Sequence, residues 1–143
     1  KIKPDLILSI RPGLIFKQSL INSSPKIYNL HCSALPSYAG IGGILQALAN
    51  KEDVLGISIH EIDDENIDTG KVLAQEYFKT MPFKSVLWHT LKIYERAADI
   101  LPDFLKKEVP VPKIKVEKNA DYYSWPSFSV YKRLYSSKRR LIF

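Results

Sequence analysis

The sequence predicts an α/β domain built on a mostly parallel sheet, and three observations carry that reading. Short, nearly continuous apolar runs recur at 5–10, 26–31, 54–62 and 71–78, and such runs suit strands covered on both faces. Two other stretches, 41–50 and 87–105, repeat apolar residues at spacings of three and four, the period of a helix with one buried face. Strands alternating with helices assemble as a parallel sheet with helices laid against it.

At 143 residues and 45% hydrophobic, the chain has the material for one ordinary core. No apolar run approaches the roughly 20 residues that cross a bilayer, and no charged-then-apolar leader precedes a small-residue cleavage site. Cys32 is the sole cysteine, which excludes an internal disulfide and suits a reducing compartment. The expectation is a cytoplasmic protein with no membrane partner. The net charge of +6 is uneven: 51–70 is acidic and the last third is basic, ending in Lys138-Arg139-Arg140. A solvated basic surface accounts for this, with attraction for phosphates as the sharper reading. No nucleic-acid motif accompanies it.

Taken in order, Asp5-Leu6-Ile7-Leu8-Ser9-Ile10 reads as the first strand, closed by Arg11-Pro12-Gly13. Residues 14–22 suit a short helix or an irregular segment, broken at Ser23-Ser24-Pro25. Residues 26–31 form the second strand. Ile41, Ile44, Leu45 and Leu48 mark a helix face, with Gly42 and Gly43 in its first turn, where glycine implies a close approach to the backbone. In the third strand, 54–62, Ile57, Ile59 and Glu61 share one face and Ser58, His60 and Ile62 the other. Residues 71–78 give the fourth. Leu87, Leu91, Tyr94, Ala98, Leu101 and Leu105 form the apolar stripe of a long helix, with Met81-Pro82 near its start and Pro102 expected to kink or end it. Beyond 106, Pro110, Pro112 and the alternation at 113–118 suggest an edge strand or extended arm. The tail (Tyr122, Tyr123, Trp125, Phe128, Tyr131, Tyr135, Phe143, with Val130, Leu134 and Ile142) reads as an aromatic arm packed on the core.

The chemistry concentrates in two polar stretches. Asn29 and His31 stand two residues apart at the end of an apolar run, and so on one face of a strand. The acidic loop Asp63-Asp64-Glu65-Asn66-Ile67-Asp68-Thr69-Gly70 follows the next. In open α/β sheets, sites lie outside the carboxyl ends of strands, and we expect the two stretches to meet. His31, His60 and His89 have no spacing resembling a zinc site, so no metal is expected. Cys32 neighbours His31 and by alternation faces away from it, as a small buried residue rather than a nucleophile. Gly40-Ile41-Gly42-Gly43 matches neither phosphate-loop pattern. An amide that can hold an oxyanion, an imidazole that can move a proton and a carboxylate that can orient it remain. That set suits acyl transfer without a protein nucleophile. Taken alone, His31 also reads as a structural histidine, and Asp68 as a turn residue before Thr69-Gly70.

The stretch Asn29-Leu30-His31-Cys32-Ser33-Ala34-Leu35-Pro36-Ser37-Tyr38-Ala39-Gly40 resembles the signature of the folate-dependent formyltransferases, an Asn-x-His followed by Ser, Leu-Pro and Gly. Gly56-Ile57-Ser58-Ile59-His60, then Asp68-Thr69-Gly70 and Val72-Leu73-Ala74-Gln75, is similar to the same family. The likeness runs from about 4 to 105. It implies the family's Rossmann-like fold, with 1–105 as its catalytic core lacking the front half and 106–143 as an extension packed on it. It also implies 10-formyltetrahydrofolate as formyl donor, with Asn29, His31 and Asp68 catalytic, Ser33 bracing the loop, and Gly13, Leu14, Ile15 and Ile67 in the donor pocket. For Leu14 and Ile15 plain core packing is the competing expectation.

Several positions depart from the family pattern. Cys32 stands where Pro or Gly is common, and Gly42-Gly43-Ile44 lacks the further histidine typical of the glycinamide ribonucleotide enzymes. The segment after 105 resembles an arm rather than the second basic domain of the methionyl-tRNA enzymes. Aromatic extensions are compatible with the nucleotide-sugar enzymes. Lys1 opens almost directly on a strand, which suggests a fragment or a processed chain, and the family's first β/α units are not in view. The implied acceptor is a primary amine on a phosphorylated or nucleotide-linked small molecule such as an amino sugar. The alternatives are a tRNA-directed enzyme and a folate-binding remnant without turnover.

Overall fold

A computed structural model describes residues 4–23, 26–106 and 121–142. In chain order the elements are β1 (Ile7–Ile10), α1 (Gln18–Ser23), β2 (Ile27–His31), β3 (Ala39–Gly40), α2 (Gly43–Ala49), β4 (Val54–Glu61), β5 (Val72–Lys79), α3 (Val86–Leu105), β6 (Tyr122–Tyr123) and α4 (Phe128–Ser136). The main sheet has the order β1-β2-β4-β5, and β3 pairs with β6. The α/β class holds, with each of the four long strands close to its expected bounds.

The pairing within that sheet is mixed. β1 and β2 run parallel, whereas β2–β4 and β4–β5 are antiparallel. The β4–β5 link folds back on itself: Glu61 N donates to Lys71 O at 2.9 Å, so the two strands leave the loop as a hairpin. The carboxyl ends of β2 and β4 therefore point in opposite directions. Cross-strand partners share a face. Leu30 opposite Ile59 looks toward the helices, while Asn29 opposite His60 and His31 opposite Ser58 share the other side.

The core lies between that helix-facing side and α2, α3 and α4, with Leu30, Leu48, Ile57, Ile59, Ile93 and Leu134 among its members. A smaller cluster of Leu35, Ala39 and Val72 seats the 33–40 loop on the opposite side. That loop contains a cis Leu35–Pro36 bond. Gly43 satisfies the expected close approach: a Cβ there would lie 3.0 Å from Tyr38 O and 3.1 Å from Ser33 Cβ.

Two helical expectations are corrected. In α3, capped by Ser85 Oγ accepting from Trp88 N at 3.1 Å, the buried residues are His89, Ile93, Ala97 and Ile100. Leu87, Leu91 and Leu105 of the expected stripe are 38%, 52% and 46% exposed. Both series have helical spacing, and contact with β4 and α2 selects the one carrying Ile93 and Ala97. Pro102 sits inside the last turn without ending the helix.

The tail is the second correction, because 128–136 is helical rather than extended. Its anchors are aliphatic: Val130 and Leu134, four residues apart, enter the core, while Trp125 and Phe128 stay exposed. Tyr123 alone of the early tail aromatics stacks, on Tyr38 at 5.1 Å between ring centroids. The expected strand or arm at 113–118, and Phe143, lie outside the described residues.

Candidate active site

An open cleft of about 710 Å³ runs along one end of the sheet, within the size range of small-molecule sites. Its walls come from 11–16, the end of β2, the start of α2, the 62–68 loop, one side of α3, and Tyr122 and Trp125. All the expected site residues line it: Asn29, His31 and Asp68, and also Gly13, Leu14, Ile15 and Ile67.

The polar end is a compact hydrogen-bonded group. Asn29 and His31 reach it by alternation along β2, whose continuous pairing with β1 and β4 fixes both side chains. Asp68 arrives differently, since β4 ends away from the end of β2. The 62–70 loop doubles back, with Asp68 in the left-handed region at φ 55°. Gly70 makes the return possible, because a Cβ there would fall 1.8 Å from Glu61 O. Gly40 N then donates to Asp68 Oδ2 at 2.7 Å, tying this loop to the one after β2.

Asp68 lies between two imidazoles. Oδ2 is 3.4 Å from His31 Nδ1, and Oδ1 is 3.3 Å from His60 Nε2. Burial pushes the Asp68 carboxyl up, but the His60 contact, the His31 ring and the Gly40 N–H outweigh it and hold it below the usual carboxylate range. His31 is lowered by burial, opposed by Asp68 and by the Tyr38 carbonyl, which its Nε2 meets at 3.2 Å. Ser33 Oγ lies 3.1 and 3.0 Å from the Ser37 and Tyr38 carbonyls, bracing the loop as expected. Cys32 packs against the core and also touches the cleft wall. Burial pushes its thiol up to about 11, which leaves it protonated and a poor nucleophile at neutral pH.

His60 is the residue that sequence reasoning missed as part of this group. Its Nε2 is 3.0 Å from Asn29 Nδ2, and its ring centroid is 6.3 Å from that of His31. The signal was present in the alternation of β4, which puts His60 on the face away from Ile57 and Ile59. Only the antiparallel register sets it beside Asn29. Among the described residues no three His, Cys, Asp or Glu are grouped as a metal site, and no helix is long and apolar enough to cross a membrane.

The apolar end contrasts with this. Leu14, Ile15 and Ile67 are 82%, 55% and 38% exposed, so Leu14 and Ile15 are not core residues. A Cβ on Gly13 would meet nothing within 4 Å, so that backbone is open to an incoming ligand. Arg11, in the left-handed region, donates to the Tyr94 hydroxyl across the cleft.

A family model described as formyl transferase matches residues 1–105, and the chain belongs to that family. It is 34% identical over 108 residues to the methionyl-tRNA formyltransferase of Kosmotoga olearia, covering 75% of this chain and 34% of that protein. It thus spans about a third of that relative's length. Among solved structures, the formyltransferase PseJ from Anoxybacillus kamchatkensis, in complex with UDP-4,6-dideoxy-4-formamido-L-AltNAc and tetrahydrofolate, superposes with a TM-score of 0.68 at 22% identity, covering 92% of this chain and 69% of that one. Phosphoribosylglycinamide formyltransferase from Bacillus halodurans gives a TM-score of 0.59 at 29% identity, covering 64% and 47%.

Proposed function

We propose that this chain carries the catalytic core of an enzyme that moves a formyl group from 10-formyltetrahydrofolate to a primary amine. The observation that carries the reading is the convergence of Asn29, His31 and Asp68 at the polar end of a cleft whose other end is apolar and uncovered. The donor fits this division. Its flat ring system suits the exposed side chains of Leu14, Ile15 and Ile67 and the open backbone at Gly13, and it supplies an activated one-carbon unit to the polar end.

Transfer needs a bond from the amine nitrogen to the formyl carbon, loss of that carbon's bond to the donor nitrogen, removal of one amine proton and return of a proton to the donor. Asn29 offers an amide N–H to the charge growing on the formyl oxygen. His31, held by the Tyr38 carbonyl and Asp68, stabilises the same charge once protonated and relays a proton. Asp68, clamped by Gly40 N–H, holds the imidazolium in place and balances its charge. A thiol nucleophile has no part, since Cys32 is held protonated.

The division into a core at 1–105 and an extension at 106–143 belongs to this proposal, as does a cytoplasmic location. For the acceptor we favour a phosphorylated or nucleotide-linked small amine such as an amino sugar. The relatives at 30% identity and above, which are methionyl-tRNA formyltransferases, favour a tRNA-linked amine as the second reading. Full-length protein given 10-formyltetrahydrofolate and either nucleotide-linked amino sugars or methionyl-tRNA decides between them. Release of tetrahydrofolate with one acceptor class supports that class. Folate binding with no release on any amine leaves a binding module instead.

A further inference from the structure

We propose that Tyr123, from the tail, is a positioning residue that holds the two backbone groups by which His31 and Asp68 are aimed. The inference deepens the formyl-transfer reading and rests on it for the consequence in turnover, but not for the geometry.

Two backbone contacts orient the polar group. The Tyr38 carbonyl accepts from His31 Nε2 at 3.2 Å, and Gly40 N–H donates to Asp68 Oδ2 at 2.7 Å. Both residues lie in the left-handed region, Tyr38 at φ 57° and Gly40 at φ 93°. A bulky residue such as tyrosine enters that region at a cost and stays there only where its surroundings hold it.

Tyr123 holds both. Its ring stacks on Tyr38 with 5.1 Å between centroids and 20° between planes. Its carbonyl accepts from Ile41 N at 2.7 Å, within the parallel pairing that sets Gly40 opposite Tyr123. The approach is close: a Cβ on Gly40 would lie 2.3 Å from Tyr123 O and 2.7 Å from the Tyr122 ring. The Tyr38 hydroxyl is pinned in turn, donating to Glu52 at 2.6 Å and accepting from Asn50 Nδ2 at 3.2 Å. The 38–40 backbone is thus gripped between the residues that follow α2 and the tail. The cleft wall takes in Tyr122 and Trp125 but not Tyr123, so a change of the Tyr123 side chain removes no ligand contact. This buttress lies beyond residues 1–105, which the family model matches. β2 and the 62–70 loop bring His31 and Asp68 together, and Tyr123 fixes what they lean on.

Tyr123→Ala, Tyr123→Phe and Val130→Ala test this in the full-length protein. Ala loses the stack and Phe keeps it, while Val130→Ala loosens α4 in the core and leaves β6 alone. Tyr123→Ala is expected to lower kcat about tenfold to a hundredfold with the donor KM within about twofold of wild type. Tyr123→Phe should restore wild-type kcat, and Val130→Ala should retain it below its own melting temperature. A readout independent of turnover is hydrogen exchange at the Gly40 and Ile41 amides. Relative to Ile59 in β4, exchange at both should quicken in Tyr123→Ala and match wild type in Tyr123→Phe. Wild-type kcat in Tyr123→Ala, equal losses of kcat in Tyr123→Ala and Val130→Ala, or unaltered exchange at Gly40 and Ile41 overturns the proposal. If Tyr123→Ala loses its fold by circular dichroism, Tyr123→Leu, which fills the space without a ring to stack, takes its place with the same expectations. Quickened exchange that Tyr123→Phe reverses upholds the buttress even if no amine is ever formylated, in which case the formyl-transfer reading alone fails.

Discussion

The two ends of the cleft are built on opposite principles. At the polar end every side chain has its orientation set by another: Asp68 by Gly40, His31 by Tyr38 and Asp68, Asn29 by His60. At the apolar end Leu14 and Ile15 are more than half uncovered and Ile67 more than a third. The first arrangement fixes polar groups in place before any ligand arrives, which is how electrostatic effects at a site gain strength. The second is what a hydrophobic binding surface requires, because its contribution comes from apolar area removed from water only when a ligand arrives. Substitutions at the two ends should therefore fail in different ways.

Asp68→Asn carries the largest expected effect. It keeps the shape and removes the charge between two imidazoles, and turnover by the full-length protein should fall about a thousandfold or more. Donor affinity, read by fluorescence titration, should change little. A large loss of affinity with kcat intact would merge the two ends into one binding surface.

Gly70→Ala tests whether the polar end depends on its loop. A methyl group 1.8 Å from Glu61 O cannot be absorbed by a side-chain rotation, so the return of the loop must shift. We expect a loss of about 3 kcal/mol in denaturant unfolding together with a lower kcat, since the same backbone places Asp68. The midpoint of urea unfolding is the check.

Acid should loosen the polar end and the start of α3 together. The carboxyl of Asp68 and the rings of His31 and His89 all have pKa values lowered in the fold. Each therefore binds more protons when unfolded, and stability falls as pH falls. The histidine contributions are complete above their unfolded pKa near 6.5 and decline below it. The Asp68 contribution declines only beneath its unfolded value of about 3.9. Melting temperature against pH should show a decline that begins near neutrality and steepens in strong acid. His89 contributes to the upper part because its Nε2 accepts from Met81 N at 3.0 Å and must stay unprotonated to do so.

Ile15→Ala is the smallest. It removes apolar surface from the uncovered end, and donor KM should rise about fivefold, near 1 kcal/mol of lost burial. Stability should stay within about 0.5 kcal/mol, since an exposed side chain holds nothing in place. A fall in melting temperature of several degrees would show that Ile15 supports the fold instead.

Of the polar group only the Asn29–His31 pair could be read locally; Asp68 by itself reads as a turn residue and joined the pair through the family resemblance. Asn29 and His31 share a face by a two-residue spacing that any strand imposes, and Asp68-Thr69-Gly70 closes a loop by its own turn chemistry. The strands at 26–31 and 54–62 were legible because an apolar run bounded by breakers has one extended solution. The α2 glycines predicted a close approach, and Tyr38 O and Ser33 Cβ supply it.

Only the tertiary structure decided the rest, and the reason is the same each time. The sequence offers two helical stripes on α3, and contact with the sheet chose Ile93, Ala97 and Ile100 over Leu87, Leu91 and Leu105. The tail offers many aromatics and two aliphatics four residues apart, and the space over α2 accepted the aliphatics. Strand direction is invisible to period-two patterning, so the antiparallel return of β4 could not be read in advance. With it went the register that sets His60, 31 residues along the chain, beside Asn29. Local periodicity determines which faces exist and which chemistry they carry. Which faces meet depends on contacts between distant segments, which no short-range pattern encodes.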